Sequence, residues 1–183
     1  MSRAFVKDDG GDGRVLVPER APLPDGTPNR VTPSGLRALH AEHAALTRER
    51  DALAADPDAA DRSRRLTIVR ASLEALEARL ASARLVTPGP DDGIVRFGAT
   101  VALAGEDGAP LRIRIVGVDE ADALEGRIAF TAPLAVALLD RRRGDEVEVV
   151  RGSERRRWRI VAVDPGSADD PDDGAGAGER SRT

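Results

Sequence analysis

Leu66-Thr67-Ile68-Val69-Arg70-Ala71-Ser72-Leu73-Glu74-Ala75-Leu76-Glu77-Ala78-Arg79-Leu80-Ala81-Ser82-Ala83 carries apolar residues at 66, 69, 73, 76, 80 and 83. The intervals alternate between three and four, the a/d repeat of a helix that buries one seam against another helix. The segment before it repeats that spacing at Leu36, Leu39, His43, Leu46, Arg50 and Leu53, with two polar residues interrupting it. Between the two lies Ala55-Asp56-Pro57-Asp58-Ala59-Ala60-Asp61. Pro57 disfavours helical geometry at Asp56, so the first helix is expected to stop there. Asp58 is expected to cap the second helix, with Asp61 three residues on in its first turn. Thr32 as N-cap and Pro33 at the first helical position open the first helix. Two arms of about 22 residues, at roughly 1.5 Å per residue, give a hairpin rod on the order of 33 Å long.

Moving outward, the hairpin occupies residues 31–85, and residues 86–93, with two prolines and two glycines, read as a linker. From Ile94 the period changes to two. Val95, Phe97, Ala99, Val101 and Leu103 alternate, Gly105–Gly108 turns, and Leu111, Ile113 and Ile115 continue on a second strand. Residues 127–130 are a short third strand. Ala132-Pro133 opens a short helix through Leu139. Residues 146–150 and 158–163 close the sheet. Five short antiparallel strands with one helix make residues 94–164 a compact module, and the whole chain is of the α+β class. Residues 1–30 are rich in Asp, Gly and Pro and are expected to be disordered, as is the tail over 165–183.

Aromatic residues make up only 2% of the chain, so its core must come from Val, Leu, Ile and Ala. A net charge of −4 is too near balance to imply general binding to nucleic acid or membranes. Without cysteine, thiol nucleophiles, disulfides and thiolate-bound metals are excluded. The first 30 residues hold no apolar signal region, and no run approaches the roughly 18 apolar residues of a membrane span. A soluble cytoplasmic chain is the simplest expectation.

Little in the sequence suggests chemistry of the chain's own. His40 and His43, three apart, have no third ligand of the usual kind beside them, since Glu42 lies elsewhere on the helix; a seam or surface role is expected, and no resident metal. No phosphate-cradling glycine loop is present, because Asp91-Asp92-Gly93 and Gly105–Gly108 are turn chemistry. Arg62, Arg64, Arg65 and Arg70 form a basic patch below the tip, either a solvated face or a contact for nucleic acid, RNA or DNA. Arg141-Arg142-Arg143 and Arg155-Arg156-Arg157 are similar runs beside turns. Asp56, Asp58 and Asp61 are either helix-terminus residues or a set of hard-cation ligands presented to a partner's active site.

Over residues 28–163 the chain resembles the bacterial GreA/GreB family of transcription elongation factors. The stretches that carry the resemblance occur in order. Residues 29–36, Asn-Arg-Val-Thr-Pro-Ser-Gly-Leu, look like the start of the family's first hairpin helix, and 80–86, Leu-Ala-Ser-Ala-Arg-Leu-Val, like the end of its second. Residues 95–101, Val-Arg-Phe-Gly-Ala-Thr-Val, are similar to its first base strand. The most specific match is 114–122, Arg-Ile-Val-Gly-Val-Asp-Glu-Ala-Asp. Residues 132–139, followed by Gly144-Asp145-Glu146-Val147, complete the set.

The resemblance implies a C-terminal domain of FKBP-like fold that docks at the mouth of the RNA polymerase secondary channel. Thr131, Ala132, Pro133 and Leu134 match the docking segment. It also implies a hairpin that enters the channel to regulate elongation, without enzymatic activity of its own. In cleavage factors of the family the acidic tip helps hold a second Mg²⁺ shared with the polymerase active site, so that backtracked RNA is cut. Asp58 and Asp61 reproduce the family's acidic spacing, but Arg62-Ser63-Arg64 follows where Asn-Ala and an aromatic are expected. Ala132 stands where the family usually has Ser, and Thr131 where it has Asp or Asn. The arms read about one heptad shorter, which withdraws the tip by roughly 10 Å. The regulator of nucleoside diphosphate kinase, a short-hairpin relative that binds polymerase without promoting cleavage, is similar in this respect. A channel-occupying regulator is the expected function, with a transcript-cleavage factor as the alternative.

Overall fold

The computed structural model describes residues 20–56, 61–106, 108–152 and 154–167. Expectations about residues 1–19, Asp58 and the tail from residue 168 lie outside the described residues. Strand β1 (Arg30–Val31) leads into helix α1 (Pro33–Ala55); helix α2 (Arg62–Ser82) returns to β2 (Arg84–Leu85). The second module contains β3 (Thr100–Gly105), β4 (Pro110–Val116), a 3-10 turn (Val118–Glu120) and β5 (Arg127–Ala129). It is completed by α3 (Pro133–Leu138), β6 (Glu146–Arg151) and β7 (Glu154–Asp164). This is the α+β class expected.

The seam positions do what their spacing requires. Leu66, Val69, Leu73 and Leu76 of α2 are buried, facing Leu39 and Leu53 of α1. Leu36, Leu46 and Leu80 pack around them. The two polar interruptions sit at the seam's margin: His43 Nε2 lies 3.3 Å from Glu77 Oε1 across the hairpin, and Arg50 bonds to its neighbour Asp51 at 2.8 Å. Thr32 caps α1, its Oγ1 accepting the Gly35 N–H at 3.0 Å with Pro33 next, and Asp56 ends it. The expected cap of α2 is corrected. The helix begins at Arg62, and its N-cap is Asp61, in left-handed geometry at φ 54° with no side-chain cap bond. Asp61 thus enters the helix from a left-handed conformation, which Asp tolerates better than most.

A two-residue parallel pair closes the base of the rod, with Arg30 opposite Arg84 and Val31 opposite Leu85. Two residues carry no readable alternation, so this pair was not visible in the periodicity. The disorder expected through residue 30 does not hold for its last residues. Asn29 is buried, and its Nδ2 donates to Arg79 O at 2.8 Å and Ser82 Oγ at 3.1 Å.

The sheet runs β5-β4-β3-β7-β6. It is not wholly antiparallel, because β4 and β5 are parallel, Arg114 opposite Arg127 through Val116 opposite Ala129. The 3-10 turn and the loop after it carry the chain back across, so β5 starts from the same end as β4 (compare the longer crossover of a βαβ unit). The first predicted strand also begins later than expected. Val95, Phe97, Gly98 and Ala99 are buried and Arg96 is half-exposed. Gly98 takes φ 89°, so the chain turns there, and the regular register begins only at Thr100, with Gly98 N and Ala99 O bonded to Ile115. Val95, Phe97, Val101, Leu103, Ile113, Ile115 and Ile160 form one core, on which α3 lays Ala135 and Leu138. Phe97 and Phe130 meet edge-to-face at 5.6 Å, a favoured quadrupole geometry.

Candidate interaction site

Segment 131–134 is held from both sides. Phe130 is buried and its N–H donates to Val116 O at 2.9 Å; Ala135 and Leu138 are fully buried beneath α3. Ala132 is the N-cap and Pro133 occupies the first helical position, where its missing N–H costs nothing. Thr131 and Leu134 are half-buried and Pro133 is exposed. Val136, three residues on and so on the same helical face as Pro133, is 59% exposed. Sequence reasoning did not single out Val136; the helical period from Ala135 and Leu138 places it outside.

The rod meets this module through a polar joint. The Glu120 carboxylate accepts from Thr32 N at 3.0 Å, Gly117 N at 3.1 Å and the Thr32 hydroxyl. Gly35 makes the approach possible, because a Cβ there would lie 2.0 Å from Glu120 Cδ. Beside it, Asp119 takes Arg79 Nε at 3.1 Å and Arg20 Nη1 at 3.1 Å. Partial burial opposes the Arg20 charge, but hydrogen bonds to Glu42 and Asp119 outweigh it and raise the guanidinium above its ordinary value. Arg30 lies over the Phe130 ring at 5.6 Å. The two stretches that most resemble the family, residues 29–36 and 114–122, therefore touch. Their joint role was not foreseen, although Gly117-Val118-Asp119-Glu120 has the spacing of a turn whose fourth residue bonds back to its first.

At the other end of the rod, the four arginines divide. Arg62 Nε donates to Leu53 O at 2.7 Å and its Nη2 to Ala54 O at 3.3 Å, closing the C-terminus of α1. Arg65 pairs with Glu49 at 3.0 Å. Arg64 and Arg70 are exposed. Asp56 and Asp61 are exposed on either side of the turn, and Asp58 lies outside the described residues. Among the described residues no group of three His, Asp or Glu side chains is placed to hold a metal ion.

Of the two Arg runs of the base, one is engaged in ion pairs, while Arg141-Arg142-Arg143 is exposed. β7 is longer than expected and takes in Arg155-Arg156-Arg157, which pair with Glu148, Glu154 and Glu106 at 3.3 to 3.5 Å. No helix among the described residues is long and apolar enough to cross a membrane.

A family model described as "Transcription elongation factor, GreA/GreB, C-term" matches residues 90–165, the linker's end and the whole sheet module. Transcription elongation factor GreB of Neisseria meningitidis serogroup B (strain ATCC BAA-335 / MC58) is 31% identical over 154 residues, spanning 75% of this chain and 94% of that relative. The chain belongs to the GreA/GreB family. Transcription elongation factor GreA of Verminephrobacter eiseniae (strain EF01-2) is 41% identical over 112 residues, covering 60% of this chain and 70% of the relative. Among solved structures, a GreA/GreB elongation factor from Nitrosomonas europaea is 24% identical over 74% of this chain and 98% of its own, with a TM-score of 0.37. GreA/GreB proteins are elongation factors and not themselves enzymes, and the chain is a transcription elongation factor of that kind.

Proposed function

We propose that the protein binds bacterial RNA polymerase at the mouth of its secondary channel and regulates elongation by placing the α1–α2 rod inside. The base docks through Thr131, Ala132, Pro133 and Leu134, and Val136 extends that face. The observation that carries this reading is the presentation of Pro133 and Val136. Both are exposed on a helix fixed to the sheet by two fully buried side chains, so apolar surface is offered on a rigid support. Arg64 and Arg70 are the two members of the basic patch left to meet RNA or DNA, since Arg62 and Arg65 are engaged within the hairpin.

A second reading, stimulation of transcript cleavage, is favoured by Asp61. Its left-handed backbone accounts for an Asp at that position, but its exposed carboxylate makes no cap bond and is left to meet a cation. One carboxylate completes no cation site, and a Mg²⁺ at the tip would have to be held chiefly by the polymerase. The polymerase would also supply the chemistry.

A stalled, backtracked elongation complex tests both. Pro133→Asp with Val136→Asp should weaken polymerase binding at least about tenfold while leaving Trp158 fluorescence native. Undiminished binding would overturn the docking face. Shortened, re-extendable RNA that disappears in Asp61→Ala would establish the cleavage reading. Binding without shortening would establish a channel-occupying regulator.

A further inference from the structure

The rod and the base are each complete in their own packing: the seam buries Leu53, Leu66, Val69 and Leu73, and the sheet has a separate core. What fixes one to the other is small, and one contributor comes from ahead of the hairpin. Arg20 Nη1 reaches Asp119 Oδ1 at 3.1 Å, and the same guanidinium pairs with Glu42 of α1. Arg79 of α2 pairs with the other Asp119 oxygen at 3.1 Å and also donates to the backbone oxygen of Ala21. Two arginines and two carboxylates, from four separate parts of the chain, thus meet at one point. Asp119 lies at its centre with its side chain only 6% exposed. Removing one partner from a buried cluster of this sort leaves an uncompensated charge, so the cluster resists opening.

We propose that Arg20 and Asp119 are positioning residues: the stretch ahead of the first helix is a clamp that sets the direction of the rod relative to the base. The leverage is large. On a rod of about 33 Å, a rotation of about 10° at the joint displaces the tip by about 6 Å. The consequence for where the tip arrives rests on the channel reading above; the clamp does not.

The native chain has no cysteine, so two introduced ones are the only labelling sites. Spin labels at Ala52→Cys near the tip and Arg112→Cys on β4, both exposed positions, report the rod-to-base distance by electron–electron resonance. The full chain should give one narrow distance. Arg20→Ala and Asp119→Asn should each shift or broaden it by about 5 Å or more, and Arg20→Lys should restore most of the narrow population. Should Asp119→Asn not fold, Arg20→Ala decides alone, because Arg20 lies ahead of both modules and contributes to neither of their cores. A distribution in Arg20→Ala that superimposes on the parent's overturns the clamp. On polymerase, Arg20→Ala should keep its half-saturating concentration, since the docking face is untouched, but lose several-fold of its maximal effect. Loss of binding by the parent itself would sink the channel reading instead, and the distances need no polymerase.

Discussion

Gly35→Ala should change the sign of its effect according to what stands at position 120. On helix propensity alone the substitution stabilises α1 by about 0.5–1 kcal/mol, since Ala gives up less backbone freedom than Gly on folding. The new methyl, however, would sit 2.0 Å from Glu120 Cδ and 2.4 Å from both of its oxygens. That carboxylate is the far end of a flexible side chain, but three donors hold it, so evicting it orphans the Thr32 and Gly117 N–H groups. Both residues are buried. Each unsatisfied buried donor costs about 1–3 kcal/mol. With water entering beside the displaced carboxylate, a loss of about 3 kcal/mol is the central expectation. Gly35→Ala alone should therefore destabilise by about 2–3 kcal/mol. In a Glu120→Ala background the obstruction and the bonds are already gone, so the same change should be neutral or stabilising by up to about 1 kcal/mol. A double-mutant cycle in urea, followed by far-UV circular dichroism and by the fluorescence of Trp158, measures a coupling of about 3 kcal/mol. Equal destabilisation in both backgrounds would refute the argument that Glu120 is what Gly35 makes room for.

Three further outcomes follow from the geometry. Leu76→Ala removes a side chain with no exposed surface from the seam and should cost about 2–5 kcal/mol in chemical denaturation, far more than Ala substitution at exposed Thr67. Arg62→Ala should cost about 1 kcal/mol and raise amide exchange in the last turn of α1. Its guanidinium closes the Leu53 and Ala54 carbonyls, whereas Arg64→Ala should leave exchange unchanged. Hydrogen bonds from Arg96, at 2.6 and 2.7 Å, hold the Asp92 carboxyl down to about 2 against some desolvation, with the Ile94 N–H assisting. A depressed carboxyl contributes stability that is present above its ordinary value near 3.8 and lost as pH falls toward about 2. NMR titration should find Asp92 ionised well below its ordinary value of 3.8, and Arg96→Ala should return it toward that value.

The rod was legible because a helical seam is written in local spacing. Leu66, Val69, Leu73 and Leu76 share a face in any α-helix, and Pro57 forbids the first arm from continuing past Asp56. Alternation likewise announced β3, β4 and β7, and Pro133 announced α3, because period and cap chemistry involve neighbours in the chain. The family was legible as ordered stretches of residues. What spacing could not reveal depends on residues far apart. The strand pair of Arg30–Val31 with Arg84–Leu85, the parallel course of β5 beside β4, and the left-handed Asp61 all arise from how the chain returns on itself. The division of the arginine patch, with Arg62 and Arg65 engaged and Arg64 and Arg70 exposed, needed the second helix set against the first. The joint is the plainest case. Thr32, Gly35, Asp119 and Glu120 read locally as a cap, a small residue and a turn, and only folding brings the carboxylate of Glu120 across 88 positions to the N–H of Thr32. Local sequence determines which elements form, since propensity and period act within a few residues. Where two elements meet is decided by long-range donors and acceptors that burial obliges to find one another.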